Sequence, residues 1–365
     1  MILNALPGIG PVALNRLLAA FGGNPRAILR AEPRRLASVE GIRPEAARAV
    51  SDWRTQFDLA KEERNLALSG TSFIIREDEG YPRLLREIHD PPIGLYRKGA
   101  CNLKDSCIAV IGSRRTTLYG MSVAKRLGSE LAGMGFCVVS GLARGIDTAA
   151  HEGALAAGGR TVAVLGTGID TVYPPENFDL CGRIVRAGAV LSEFPFGRPP
   201  DRQTFPMRNR IVSGLSEAVV VVESDVDGGA MITARFAAEQ GRTVFAIPGR
   251  IDQPTSAGCH QLIRDGATLL TGVDDILSEL SYLKGFRPAL STSRPGPKEP
   301  VAPAGLAEEE RLILECLGGG GILTPDAIGE RSGLASPRLS AGLMMLELKR
   351  LVSKRVDGAY ERVVA

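Results

Sequence analysis

The middle of the chain alternates short, uninterrupted apolar runs with longer segments in which apolar residues recur at helical spacing. Uninterrupted apolar runs are typical of strands buried on both faces of a parallel sheet. Five runs predict strands, at residues 107–112, 136–141, 161–166, 218–223 and 243–249. Because helical stretches separate most of them, the pattern predicts an α/β fold with an extended Rossmann-like, doubly wound sheet over residues 71–285.

Four of these runs end in a glycine, at Gly112, Gly141, Gly166 and Gly249. Open α/β sheets bind their ligands at the carboxyl ends of the strands, where small residues let a ligand approach the backbone closely. We therefore expect the functional site at this edge of the sheet.

The two ends of the chain follow other patterns. In "LPGIGPVALNRLLAAFG" a glycine turn joins two helical stretches, which predicts a helix-hairpin-helix in a small, SAM-like helical domain over residues 1–70. Contact with nucleic acid and a purely structural role for these turns both stay open. Residues 286–305 are rich in Pro, Ser and Ala and predict a linker.

The last segment, residues 306–365, combines three helical stretches with two strand-like runs around Asp357 and Gly358, a hairpin signal. Three helices followed by a β-hairpin predict a winged helix. Because this segment is not markedly basic, the sequence leaves open whether it contacts duplex DNA or a protein.

Composition limits the classes of function. The net charge of the 365 residues is only +3, so an anion site must be a local cluster of basic groups. No apolar run is long enough to span a membrane, and the sequence shows no secretory signal. The six cysteines form no CxxC pair and only three histidines occur, which favours a cytoplasmic protein with reduced thiols and no metal site.

Three glycine-rich turns follow predicted strands and could cradle an anion with backbone N–H groups and arginine side chains. The turns are "GSRRTTLYG", "SGLARGIDTAAHEGAL" and "DGGAMITARFAAEQG". None of them is a GxGxxG or Walker A motif, so a dinucleotide or nucleoside triphosphate cofactor is not expected. Their candidate binding residues are Gly112, Ser113, Arg114 and Arg115; Gly141, Arg144 and Gly145; and Gly229 and Thr233.

The segment "FPMRNRIVSGLS" adds Phe205, Arg208, Asn209 and Arg210 as candidate binding residues. Its pattern predicts a buried helix with both arginines in the first turn, where cations oppose the helix dipole. Bound phosphates would offset this cost, and Phe205 would stack on a base. We therefore expect an anionic ligand at the point where these arginines and the glycine turns converge.

A catalytic site finds less support in the sequence. The available groups are Asp147, Glu193, Asp227, Ser140 and Ser213, and no spacing marks them as an acid/base pair or an activated nucleophile. We therefore expect a binding protein rather than an enzyme.

The motifs occur in an order that resembles the DNA-processing protein family DprA, also called Smf. "VIGSRRTTLYG", "VVSGLARGIDTAAHEGAL", "VLGTGIDTVYPPEN", "FPMRNRIVSGLS", "DGGAMITARFAAEQGRTVFAIPG" and "SAGCHQLIRDGA" carry the resemblance, which covers residues 100–280. It implies a homodimer that binds single-stranded DNA without catalysis or cofactor. It also implies that the protein loads the RecA recombinase and displaces single-strand-binding protein during natural transformation.

The resemblance places the DNA pocket at residues 112–114 and 205–210. Two positions depart from the family pattern, because some relatives have a lysine in place of Pro175 and relatives often have an asparagine in place of His260.

Two other functions stay open at this point. The "DGGAMITA" loop resembles the phosphate loop of nucleoside-monophosphate phosphoribohydrolases, although Ala230 and Met231 replace part of that loop. The second alternative is a regulatory protein, whose winged helix reads duplex DNA while the α/β domain senses a small ligand.

Overall fold

The computed structural model describes residues 1–99, 101, 103, 105–282, 306–318 and 321–363. The chain forms two compact units, Met1–Thr116 with Gly120–Ala289, and Thr117–Tyr119 with Leu290–Ala365. The linker predicted at 286–305 lies outside the described residues, and the four domain boundaries stay a prediction.

The first unit begins with seven short helices, and the first six of them surround a core of their own. They are α1 (Ile2–Ala5), α2 (Pro11–Ala20), α3 (Pro25–Leu29), α4 (Pro33–Ala37), α5 (Pro44–Ser51), α6 (Trp53–Gln56) and α7 (Leu59–Ser69). The turn between α4 and α5 needs Gly41, whose φ is +78° and whose added Cβ would lie 1.6 Å from Nη1 of Arg16. Arg16 donates to the Glu40 carbonyl in the same turn, so this glycine has a packing role.

A nine-stranded sheet follows, in the order β1-β2-β6-β5-β4-β3-β7-β8-β9. Strands β3 to β9 are parallel to one another, whereas β2 pairs antiparallel with β1 and β6. The strands are β1 (Thr71–Ile75), β2 (Gly94–Lys98), β3 (Cys107–Ile111), β4 (Cys137–Ser140), β5 (Thr161–Gly168), β6 (Ala189–Phe194), β7 (Ala218–Val221), β8 (Thr243–Ala246) and β9 (Thr268–Leu269). All five strands predicted from the sequence are present, with ends shifted by one to three residues.

Helices cover both faces of the sheet, as the doubly wound fold requires. One face packs against α8 (Arg83–Arg86), α12 (Thr204–Gly214), α13 (Gly229–Glu239) and α14 (Pro254–Arg264). The other packs against α9 (Leu118–Gly133), α10 (Ile146–Ala156), α11 (Phe178–Ala187) and α15 (Val273–Glu279). Alternate residues of β3 serve the two cores, Ala109 and Ile111 on one side and Ile108 and Val110 on the other.

The strand order reverses between β3 and β7, which are adjacent although far apart in sequence. The connections that leave their carboxyl ends run to opposite faces of the sheet, to α9 and to α13, and such a divergence opens a crevice between them. The fold therefore places its main crevice next to the first and third glycine-rich turns.

The second unit is a winged helix with a separate apolar core. It contains α16 (Glu308–Cys316), α17 (Pro325–Ser332) and α18 (Ser336–Leu348), and a small sheet of β10 (Ile322–Leu323), β11 (Val352–Lys354) and β12 (Tyr360–Arg362) in the order β10-β12-β11. The predicted hairpin joins β11 to β12. Across the described parts of both units, no helix has the length and apolar character to cross a membrane.

Candidate ligand-binding cleft

A cleft of about 460 Å³ occupies the crevice between β3 and β7. Nine of the residues predicted from the sequence line it: Gly112, Ser113, Arg114, Arg115, Phe205, Arg208, Asn209, Gly229 and Thr233. A small adjoining recess contains two more, Gly141 and Arg144. The structure therefore brings together eleven of the thirteen candidates at the expected edge of the sheet, leaving Gly145 and Arg210 outside.

The first turn is fixed to β7 by its backbone. Ser113 N–H donates to the Glu223 carbonyl at 2.7 Å, and the Thr116 hydroxyl donates to the Glu223 carboxylate at 2.6 Å. A Cβ on Gly112 would lie 2.6 Å from Ile146 and 2.8 Å from the Glu223 carbonyl, so this glycine is required for close packing. Arg114 and Arg115 follow this anchored segment, and both are exposed at the cleft.

Gly145 packs against the backbone of this turn and does not line the cleft. Its φ is +76°, and its added Cβ would lie 2.5 Å from the Ser113 carbonyl oxygen. The expectation that Gly145 contacts the ligand is therefore replaced by a packing role, since no other residue allows α10 to start so close to the Ser113 backbone.

The arginines of the "FPMRNR" segment do not lie in the first turn of their helix, so that prediction was wrong. Helix α12 begins at Thr204, because the Asp201 carboxylate and carbonyl accept hydrogen bonds from Gln203 and Thr204 and start the helix early. Arg208 and Arg210 therefore lie beyond the first turn. Their charges are instead costly because they are desolvated, since the exposed fractions of Arg208 and Arg210 are 5% and 3%.

Arg208 carries a buried positive charge at the wall of the cleft. Its Nε atom is buried and has no hydrogen-bond partner among the residues that the structure describes. Burial lowers the pKa of the guanidinium, whereas the Asp147 carboxylate raises it and Arg114 lowers it further. Because Arg208 lines the cleft, its positive charge favours an anion there.

Arg210 is directed away from the cleft, which corrects its assignment as a binding residue. Its Nη2 donates to both carboxylate oxygens of Glu193 at 2.6 Å, and its Nε lies 3.2 Å from the Asp90 carboxylate. Burial raises the pKa of Glu193, and the charge of Arg210 opposes that rise. This buried ion pair ties α12 to β6, so Arg210 positions the helix that carries Arg208.

An aromatic ring lies beside the basic groups. The guanidinium carbon of Arg114 is 5.1 Å from the centroid of the half-buried Phe205 ring, and the centroid of the Tyr173 ring is 5.7 Å from the same centroid. The Phe205 ring packs over Gly166 at the end of β5, where a Cβ would lie 2.7 Å from Cδ1 of the ring. Cation and ring together provide the two kinds of contact that phosphate and base require.

The third turn forms the opposite wall of the cleft. Gly228 caps the N-terminus of α13, Gly229 begins that helix, and Asn209 donates to the Gly229 carbonyl at 3.4 Å. Thr233 is buried one turn later and still lines the cleft. The free N–H groups of the first turn of α13 add a favourable potential for a negative charge at this wall.

Arg144, in the second turn, is exposed and forms an ion pair with the Glu176 carboxylate beside the smaller recess. It is therefore less available to a ligand than Arg114, since its charge already has a partner.

The cleft residues that were not predicted include one basic and one aromatic side chain suited to nucleic acid. Arg202 lines the cleft from the loop before α12, and Tyr173 lines the recess next to Phe205. Arg202 lies three residues before Phe205 in a segment without periodicity, and Tyr173 belongs to the "YPPEN" stretch, where only the departure at Pro175 drew attention. Among the residues that the structure describes, no cluster of His, Cys, Asp and Glu could hold a metal ion.

Comparison with protein-family models identifies the family to which this chain belongs. The family model of DNA recombination-mediator protein A matches residues 72–281, more than half of the chain. The chain belongs to the DprA family. A model of the DprA winged helix domain also matches residues 297–358, in agreement with the fold of the second unit.

Individual relatives support the DprA assignment. Protein Smf of Synechocystis is 35% identical over 97% of this chain and 96% of its own length. The DNA processing protein DprA of Streptococcus pneumoniae is 45% identical over 56% of this chain and 73% of its own length.

Two solved DprA structures share the fold. That of Streptococcus pneumoniae DprA has a TM-score of 0.65 at 37% identity, covering 74% of this chain and 94% of that one. The structure reported for the single-stranded DNA binding mode of Helicobacter pylori DprA has a TM-score of 0.53 at 31% identity, covering 58% of this chain and 96% of that one.

Proposed function

We propose that this chain binds single-stranded DNA in the cleft between β3 and β7. The observation that carries the proposal is the positive charge of the Arg208 guanidinium, which is buried at the wall of a cleft that Arg114 also lines. A phosphate in the cleft would offset the charge of this guanidinium. The relative from Helicobacter pylori, described by its single-stranded DNA binding mode, supports the choice of ligand.

The geometry suits a strand without fixed sequence. Arg114 and Arg208 provide charge for phosphates, and Phe205 provides a ring on which a base of any kind can stack. A duplex keeps its bases paired and stacked, so it cannot offer one to Phe205. We therefore expect a preference for single strands over duplex DNA.

Membership of the DprA family supports a proposal about the partners. We propose that the chain acts as a homodimer in the cytoplasm, loads RecA recombinase onto the bound strand and displaces single-strand-binding protein, without catalysis. Two clefts acting on one strand would raise the affinity through effective concentration, which suits a protein with only a few basic groups in each cleft.

The binding proposal is tested by fluorescence anisotropy with a labelled single-stranded oligonucleotide and with unlabelled duplex and mononucleotide as competitors. We expect single strands to compete well and the other two poorly. Arg114→Ala should weaken binding roughly tenfold or more, since a hydrogen bond to a charged group is lost. The matched control is Arg126→Ala, which removes an exposed arginine paired with Glu130 on α9 and should bind as wild type does.

The same titration separates the other functions. Strong competition by mononucleotide, with release of free base, would support a phosphoribohydrolase. Tighter binding of duplex, unaffected by Arg114→Ala, would support a winged-helix regulator.

The recombinase proposal has its own test, the rate of RecA filament formation on a strand covered by single-strand-binding protein. The wild-type chain should accelerate assembly, and Arg114→Ala should do so only at higher concentration. Equal assembly with and without the wild-type chain would contradict RecA loading and leave the DNA-binding proposal intact.

A further inference from the structure

A strained backbone turn lies against Arg208. This Leu142 turn comprises Gly141, Leu142 and Ala143. Leu142 is fully buried and has a φ of 58°, in the left-handed region. A bulky residue rarely adopts this conformation, and it persists only where the surrounding structure holds it there.

Side chains from outside the turn bind its backbone polar groups. The Asp147 carboxylate accepts hydrogen bonds from the N–H groups of Gly141 at 3.1 Å and Ala143 at 3.3 Å. The Asn177 amide donates to the Leu142 carbonyl at 2.9 Å. The Thr148 hydroxyl donates to the Ala143 carbonyl at 2.7 Å and accepts from Asn177 at 2.9 Å. These bonds hold the strained conformation in place.

The Leu142 turn limits the space that is available to the Arg208 side chain. A Cβ added to Gly141 would lie only 1.3 Å from Nη1 of Arg208, so the guanidinium packs directly on the glycine backbone. Any displacement of the turn therefore changes the position of the guanidinium. Asn177 is uncharged and does not line the cleft, whereas Asp147 lines the cleft but carries the same sign of charge as a phosphate.

We propose that Asp147 and Asn177 are positioning residues for the bound DNA strand, which act on its phosphate through the Leu142 turn and Arg208. This inference rests on the proposed function, because it assumes that Arg208 contacts single-stranded DNA. It assigns a binding role to two residues that do not need to touch the DNA.

The test is a double-mutant cycle in the full chain, measured by anisotropy with a labelled oligothymidine at several salt concentrations. The variants are Asn177→Ala, Arg208→Ala and the double variant, with Asn65→Ala on α7 as the matched control. We expect Asn177→Ala to weaken binding about three- to tenfold, as for one lost hydrogen bond. We also expect its salt dependence to fall toward that of Arg208→Ala, and the double variant to bind no more weakly than Arg208→Ala alone.

A purely structural role would give different results. Independent losses that multiply in the double variant, or wild-type affinity and salt dependence in Asn177→Ala, would overturn the inference. If Asn177→Ala does not fold by circular dichroism, Thr148→Val provides the same test, since it removes the bond to the Ala143 carbonyl with little change in volume.

Failure of the inference can be told apart from failure of the proposed function. Wild-type affinity in Arg208→Ala would contradict single-strand binding in the cleft itself. Weak binding in Arg208→Ala, together with wild-type behaviour of Asn177→Ala and Thr148→Val, would contradict only the positioning role.

Discussion

At the scale of single residues, two arginines two positions apart have opposite roles. Arg208 lines the cleft, whereas Arg210 does not and is held by the carboxylates of Glu193 and Asp90. The sequence alone could not separate them, because both are surrounded by the same kinds of residue. The carboxylates that hold Arg210 are distant in sequence, so only the folded chain reveals them.

The two arginines should respond differently to substitution. Arg210→Met leaves the carboxylate of Glu193 buried without its partner, so we expect the free energy of unfolding to fall by about 3–5 kcal/mol. Urea denaturation measures this change, with Arg126→Met as the exposed control that should alter stability little. Unchanged stability combined with lost DNA binding would show instead that Arg210 is a ligand-contacting residue.

Gly141 offers a second test at this scale. An alanine there would place its Cβ 1.3 Å from Nη1 of Arg208, so the guanidinium must move. We expect Gly141→Ala to weaken single-strand binding roughly 10- to 100-fold, as for a lost hydrogen bond to a charged group. The control is Gly133→Ala on α9, where an added Cβ meets no atom within 4 Å. Equal affinity of both variants for single strands, measured by anisotropy, would contradict the proposed position of the Arg208 guanidinium.

At the scale of helices and strands, burial on both faces decided what could be predicted. Strands β3, β4, β5, β7 and β8 are continuous apolar runs, and all were predicted. The antiparallel strands β1 and β2 are partly exposed, and β9 has only two residues, so none of them produces such a run. Strand β6 was missed because Ser192 and Glu193 interrupt it, and their bonding partners come from other parts of the chain.

The contact between α10 and β5 gives the fold a dependence on pH. His151 is fully buried on α10, with Nδ1 at 2.7 Å from the Thr161 hydroxyl and no partner for Nε2 among the described residues. Burial lowers its pKa to about 3. The unfolded chain binds a proton on this histidine near pH 6.5, and the folded chain does not. The contribution of neutral His151 to the free energy of unfolding is therefore complete above that pH. It is lost progressively as the pH falls from 6.5 toward 3.

This dependence can be measured by urea denaturation of wild type and His151→Gln between pH 7.5 and pH 5. We expect the wild type to lose about 2 kcal/mol more than the variant over this range, at roughly 1.4 kcal/mol for each pH unit below 6.5. Parallel pH profiles for the two proteins would show that His151 does not carry the effect.

At the scale of the whole molecule, the α/β unit and the winged helix have separate apolar cores. The cleft is formed entirely by residues of the first unit. The proposed single-strand binding therefore does not require an intact winged helix, whose partner stays open between duplex DNA and protein.

Loss of the second core should separate these functions. Leu346 is fully buried in the winged helix, and Leu346→Ala should destabilise that unit by about 2–5 kcal/mol. Calorimetry should show an earlier transition for the winged helix, while anisotropy should show wild-type affinity for single strands. A matching loss of affinity would mean that the winged helix takes part in holding the strand.

The central claim is that a phosphate of single-stranded DNA binds the buried guanidinium of Arg208. The most direct test compares the salt dependence of single-strand affinity in wild type and in Arg208→Ala. Each phosphate contact contributes a slope of about −0.7 to a plot of log affinity against log salt concentration. We predict that Arg208→Ala binds more weakly and loses about one such contact from the slope. Wild-type affinity with an unchanged slope would contradict the account.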